Sequence, residues 1–295
     1  MKKILCMFIA CLLMFSVAAC GGEPVSDPTV VPTGLATEGQ TPTEAPSELP
    51  TEDITEAPTE EPTEEPSVDP TEEPSEDAVP DILNFIVNSD ASAKNGVADG
   101  PEITSHGPSK TVSVDSATGL NVATLTGGAC LYNAQIGDYY GDMEDDFTLE
   151  VYFKVDSLPG ASYAGIAENC ENGGFGLYVY SDGKIEYDLM LDGSYAVTVA
   201  PSKATLGKWY HCVCVWDGTM ISMYLDGVLV DEYESDFAYV KFPPDATAQY
   251  LAIGGCCSAG STGGGGFAGS IGVCNLYTAA LNAQQVANAY QNLMQ

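Results

Sequence analysis

Residues 208–230 read KWYHCVCVWDGTMISMYLDGVLV, with Asp-Gly at 217–218 and again at 226–227. Asp-Gly between β-rich runs signals a hairpin, because a two-residue turn that matches strand twist needs positive φ, which Asp tolerates and Gly adopts freely. The stretch therefore predicts three antiparallel strands. With Asp217-Gly218 as a two-residue loop, Trp216 pairs with Thr219, Cys214 with Ile221, Cys212 with Met223 and Tyr210 with Leu225. That face is nearly all apolar and belongs to a core. The opposite face gathers Trp209, His211, Val213, Val215, Ser222, Tyr224 and Asp226, and is the one left to meet a partner.

Further strands flank this centre. In Phe147–Val155 the odd positions are Phe, Leu, Val, Phe and Val while Thr148, Glu150 and Lys154 alternate with them, which predicts a half-buried strand. Gly174 to Ala200 is a meander punctuated by Asp182-Gly183 and Asp192-Gly193. Two-residue loops there pair Tyr180 with Ile185 and Tyr178 with Tyr187, and that face continues through Leu189 and Leu191 as core. The other face then carries Phe175, Leu177, Val179, Lys184, Glu186, Asp188 and Met190. Residues 82–87, 111–114, 120–126, 250–254 and 267–277 read as additional strands, whereas Pro101 and Pro108 predict an irregular segment between them. Cys256 to Phe267 is rich in Gly and Ser and predicts a long loop. The chain closes on a helix, with Asn282 as N-cap, Gln285 completing a capping box, and Val286, Ala289, Tyr290 and Leu293 as the stripe that lies on the sandwich.

The rest of the chain is of a different kind. Lys2 and Lys3 followed by apolar Ile4 to Val17 form an export signal over residues 1–20, too short for a spanning helix. Val17-Ala18-Ala19-Cys20-Gly21 resembles the bacterial lipobox, which implies a lipid on the Cys20 thiol and a new N-terminus there. Residues 21–80 repeat Pro-Thr/Ser-Glu, hold 17 acids and no base, and have too little apolar surface to bury a core. Proline and charge repulsion predict an extended, disordered tether, reaching on the order of 150 to 190 Å. Residues 81–295 remain, ample for one all-β sandwich. The chain has no arginine and a formal charge of −33, so nucleic acid and anionic lipid heads are excluded as partners, and the membrane is reached only through the lipid anchor.

The ordered series Phe147–Phe153, Gly207-Lys208-Trp209-Tyr210-His211, Trp216-Asp217-Gly218, Tyr224-Leu225-Asp226-Gly227, Phe267–Ile271, Leu276-Tyr277 and Leu281-Asn282 resembles the laminin G-like members of the concanavalin A-like lectin and glucanase superfamily. The resemblance spans residues 81–295. It implies a two-sheet antiparallel jelly-roll sandwich with a short C-terminal helix. It also implies a surface that binds glycans or proteins, or, in a minority of members, hydrolyses glycosidic bonds. Where many relatives have an acidic pair after the last-strand Ile, this chain has Gly272 and Val273.

A glycosidase of this superfamily carries carboxylates at alternate positions of one strand face. Glu186-Tyr187-Asp188 starts that pattern, but Met190 and Leu191 stand where the proton donor belongs. The sequence therefore favours a non-catalytic module, displayed outward from the bacterial envelope, with a glycan as ligand and a surface protein as the alternative partner. Its candidate site is Phe175, Leu177, Val179, Glu186 and Asp188, where C–H surfaces of a sugar pack on apolar groups and carboxylates accept from hydroxyls. No cofactor is implied, with one exception: Asp138, Asp142, Glu144, Asp145 and Asp146 supply hard oxygens of the kind that hold calcium, without the spacing of a Ca²⁺ loop. His211 lies mid-strand and reads as structural. The seven cysteines outside the leader, with Cys212 and Cys214 facing the core, predict mostly reduced thiols.

Overall fold

The computed structural model describes residues 76–295 apart from Ser109, Ala161, Glu171, Ala238 and 257–264. The expected export signal, Cys20 and almost all of the expected tether lie outside the described residues. The described chain forms two antiparallel sheets. One runs in the order β14 (Val228–Glu234), β13 (Met220–Leu225), β12 (Trp209–Trp216), β7 (Phe147–Val155), β16 (Ala268–Tyr277), β1 (Leu83–Val87) and β2 (Ala93–Asn95). In the same sheet β5 (Asn121–Thr126) also pairs with β16, and β4 (Thr111–Val114) with β5. The other sheet runs β11 (Ser194–Val199), β10 (Ile185–Leu191), β9 (Phe175–Tyr180), β8 (Tyr163–Asn169), β15 (Tyr250–Ile253), β6 (Leu131–Gln135) and β3 (Ile103–His106). The helix α1 (Ala283–Leu293) follows the last strand. This is the two-sheet sandwich that the alternating patterns predict.

The central stretch forms the three strands expected of it, with one register corrected. Asp226 and Gly227 both adopt positive φ, 52° and 79°, and Leu225 pairs directly with Val228, so that turn is the two-residue loop expected. At the first turn, however, Trp216 pairs with Ile221, Cys214 with Met223 and Cys212 with Leu225. The tip is Gly218-Thr219, because the Asp217 carboxylate accepts from the backbone N–H of Thr219 and Met220 at 2.9 and 2.7 Å, and this draws Asp217 back into the strand end. The shift is two residues, so every side chain keeps its face. Cys212 and Cys214 are buried in the core with sulfurs 3.7 Å apart and unbonded. Cys130, Cys170 and Cys274 also form no disulfide.

The register at Asp182-Gly183 shifts by one, and the consequence is larger. Val179 pairs with Ile185, Tyr178 with Glu186 and Leu177 with Tyr187. The loop is Ser181-Asp182-Gly183, closed by Gly183 N–H on Tyr180 O at 2.9 Å with Gly183 at φ 90°. Three-residue hairpins place a glycine in that left-handed position, and a one-residue slip exchanges the faces of a strand. Phe175, Leu177 and Val179 are therefore core residues, each 0% exposed, and Tyr178 and Tyr180 occupy the outer face instead. The turn at Asp192-Gly193 is the expected two-residue loop, with Leu191 opposite Ser194.

Two further corrections concern cover and strand count. The face of β12 expected to meet a partner is covered: Val213, Val215 and Tyr224 pack with Tyr277, Leu281 and Val286 in a second small core. The capping box starts the helix as expected, with Asn282 Oδ1 accepting from Gln285 N–H at 2.9 Å and Gln285 Oε1 from Asn282 N–H at 3.0 Å. Beneath the C-terminal segment His211 Nε2 lies 2.8 Å from Glu150 Oε1, while Tyr277 Oη and Asn275 Nδ2 donate to Glu150 Oε2 at 2.5 and 2.8 Å. Burial pushes the Glu150 carboxyl up, but these bonds and the His211 charge outweigh it and hold Glu150 below the usual carboxylate range. His211 is structural, as read. Finally, β3 forms between Pro101 and Pro108 at the sheet edge, where the residues it pairs need no proline N–H. The strands β6 and β8 lack alternation because both of their faces are mostly buried.

Candidate functional site

On the outer face of the β8–β11 sheet a cleft of about 150 Å³ is lined by Tyr163, Cys170, Tyr178, Tyr180, Asp188 and Tyr195. Register builds it. Tyr163 on β8 stands opposite Tyr180 on β9, and Asp188 on β10 stands opposite Gly176. A Cβ on Gly176 would lie 2.3 Å from Tyr178 Oη, so only glycine lets that ring lie across the strand. Tyr163 and Tyr178 meet edge to face, with centroids 5.2 Å apart at 78°, and Tyr163 and Tyr180 are tilted at 5.9 Å. Tyr195 Oη accepts from Cys170 Sγ at 3.1 Å, which ties a half-exposed ring on β11 to the residue that follows β8.

Acidic groups lie near the cleft. Glu168 and Glu186 are buried at 1% and 6% exposure, and the lining residue Asp188 is half-buried. Lys184 pairs with Glu186 and places its ammonium 4.0 Å from the centroid of the Tyr180 ring. Asp188 Oδ1 is buried without a hydrogen-bond partner in the protein. Burial first, and then the Glu186 charge, push the Asp188 carboxyl up to about 7, against the pull of Lys184. Burial likewise pushes the Cys170 thiol up to about 11, so it stays protonated at neutral pH. Chemically the cleft offers aromatic walls, one carboxyl free to bond a ligand, and no reactive nucleophile.

The expected site is thus divided. Asp188 lines the cleft and Glu186 is buried and paired with Lys184, whereas Phe175, Leu177 and Val179 point into the core and cannot touch a ligand. The tyrosines that replace them were missed because the hairpin was counted as a two-residue loop. The signal was present: Phe-Leu-Val at alternate positions is a purely apolar face, while the intervening Gly-Tyr-Tyr carries hydroxyls that seek water or a partner. Asp138 and Asp142 lie at the 3₁₀ turn Gly137–Asp142, with Glu144, Asp145 and Asp146 in the loop after it. Among the described residues, no three His, Cys, Asp or Glu side chains come together as a metal would require. On the other sheet a groove of about 310 Å³ runs beside the irregularity at Gly272, lined by Asn84, Asn121 and Asn275 among others. Two of those amides are engaged internally, Asn121 with Val87 O and Asn275 with Glu150.

The chain belongs to the concanavalin A-like lectin/glucanases superfamily, whose laminin G family model matches residues 127–287, a span that contains the whole cleft. No curated protein shows significant sequence similarity to the chain. Among solved structures, the binding domain of Paraclostridial mosquitocidal protein 1 is similar over 72% of this chain and 52% of that one, with 13% identity and a TM-score of 0.56. The botulinum neurotoxin serotype D ligand-binding domain, solved with N-acetylneuraminic acid, matches over 72% and 50%, with 14% identity and a TM-score of 0.55. The binding domain of botulinum neurotoxin DC, solved with SialylT, matches over 72% and 51%, with 12% identity and a TM-score of 0.54. The chain spans about half the length of these structures, and identities this low establish the shared fold alone.

Proposed function

We propose that this protein is a non-catalytic glycan-binding module, held at the outside of the bacterial envelope by a lipid on Cys20 and an extended acidic tether. The observation that carries the reading is the tyrosine cleft with its unpartnered Asp188 oxygen. Aromatic faces stack on the C–H surfaces of sugar rings, and a fixed carboxyl accepts from their hydroxyls. Membership of a superfamily rich in lectins supports the reading, as do structural neighbours that are named as binding domains. A glycosidase is less well supported. At the third position of the carboxylate series stands Met190, 7% exposed, and Glu186 is paired with Lys184. Calcium is not built into the reading.

The test is a glycan array probed with the full chain, in calcium and in chelator, alongside a hydrolysis assay on the sugars retained. The reading expects glycans bound without turnover and signal lost on Tyr180→Ala. Turnover abolished by Glu186→Gln would make the protein a hydrolase. No glycan retained under either condition would overturn the reading in favour of a protein partner.

A further inference from the structure

We infer that the tyrosine cleft selects a ligand bearing a cationic ammonium group, an amino sugar being the glycan form of that chemistry. The inference rests on the cleft being the ligand site, and names the chemistry it accepts. Four tyrosine rings surround Asp188, and two of them, Tyr163 and Tyr178, stand nearly perpendicular at 78°. Tyrosine rings and a carboxyl gathered around a small space are the groups that hold alkylammonium ions. The volume agrees. About 150 Å³ falls below the roughly 300–1,000 Å³ that encloses a whole small ligand, so the cleft takes one end group.

Charge points the same way. Asp188 lines the cleft, Glu168 and Glu186 are buried near it, and the ammonium of Lys184 sits over the Tyr180 face. Lys184 thus answers Glu186, while Asp188 Oδ1 has no partner in the protein. An N–H donor carrying positive charge repairs both deficits at once, whereas a neutral hydroxyl supplies only the bond. An anionic sugar meets the Asp188 carboxyl and is rejected. The groups that face Asp188 are Tyr163, Glu168 and Cys170 from β8 and its end, Tyr178 and Tyr180 from β9, Lys184 and Glu186 from β10 and the turn before it, and Tyr195 from β11. Protonation of Asp188 removes the charge that the ligand answers, so binding weakens as the pH falls through neutrality.

The experiment is isothermal titration of the full chain at about pH 7, where a glucosamine amine and the Asp188 carboxyl both carry substantial charge, with a glucosamine trisaccharide, its fully N-acetylated counterpart, and choline. The amino form is expected to bind at least about tenfold more tightly than the acetylated one. Asp188→Asn is expected to remove that preference, and Tyr195→Ala, at a ring 44% exposed and so neutral for folding, to weaken binding while Tyr195→Phe retains it. Choline bound through Asp188 with no sugar bound would uphold the ammonium chemistry and overturn the glycan reading. An acetylated trisaccharide bound as tightly as the amino form would overturn the ammonium inference and leave the glycan reading standing. Binding of neither ammonium probe overturns it too. So does ammonium binding unchanged in both Asp188→Asn and Tyr195→Ala, which would place the cation on the acidic tether.

Discussion

Asp188 lines the cleft with one oxygen unpartnered and a second carboxyl beside it, and burial with the Glu186 charge pushes its carboxyl up to about 7. An unfolded aspartate titrates near 3.8. Above the folded value both states are ionised, and the folded one bears the full cost of a half-desolvated charge. Between about 7 and 3.8 the folded state takes up a proton that the unfolded state does not, so this residue's contribution to stability rises as the pH falls through that window. Asp188→Asn removes the charge and keeps the shape. It is expected to raise the melting temperature at about pH 8 and to leave it unchanged at about pH 3, where the aspartate is protonated in both the folded and the unfolded state. Equal melting temperatures at both pH values would mean that Asp188 is better solvated than its burial implies. A residue that weakens the fold at neutral pH is the kind expected at a binding site, where charge is held ready for a ligand.

At the scale of elements, the hairpins decide which residues reach the site. The loop Ser181-Asp182-Gly183 turns on Gly183 at φ 90°. A side chain there meets the left-handed penalty of about 1–2 kcal/mol, offset in part by the entropy that glycine loses on folding. Gly183→Ala is therefore expected to cost about 1 kcal/mol in denaturant unfolding, with a change of midpoint and no change of slope. The same loop explains how far the sequence could be read. Strands with strict alternation, such as Phe147–Val155, were legible with their faces, because one side is apolar and the other is not. So were the helix with its capping box and the two-residue turns at Asp192-Gly193 and Asp226-Gly227. The strands β6 and β8 were not, since residues buried on both sides leave no period to read. At the site the carboxylates of β10 were legible and the tyrosines of β9 were not. Asp-Gly serves both two- and three-residue loops, and a one-residue difference exchanges every side chain of the strand. The cover over His211 was out of reach for another reason: it joins β7, β12, β16 and the C-terminal segment, and long-range packing leaves no local trace.

At the scale of the whole molecule, the proposed lipid on Cys20 and the proposed acidic tether would display the sandwich and its aromatic cleft outward from a membrane. Cys20→Ala is expected to move the protein from the detergent phase to the aqueous phase in a partition experiment, since the lipid is the proposed hold on the membrane and the acidic tether repels anionic head groups. Retention in the detergent phase would place the hold elsewhere. The measurement that tests the central claim most directly is tyrosine-ring NMR of the full chain, titrated with the glycan that gives the strongest array signal. Of the 16 tyrosines, the account predicts that the ring signals of Tyr163, Tyr178, Tyr180 and Tyr195 shift together as ligand is added, while those of the buried Tyr210 and Tyr277 and of the edge-strand Tyr233 stay in place. Saturable binding that leaves the four cleft rings unmoved and shifts Tyr233 or any other set would contradict it.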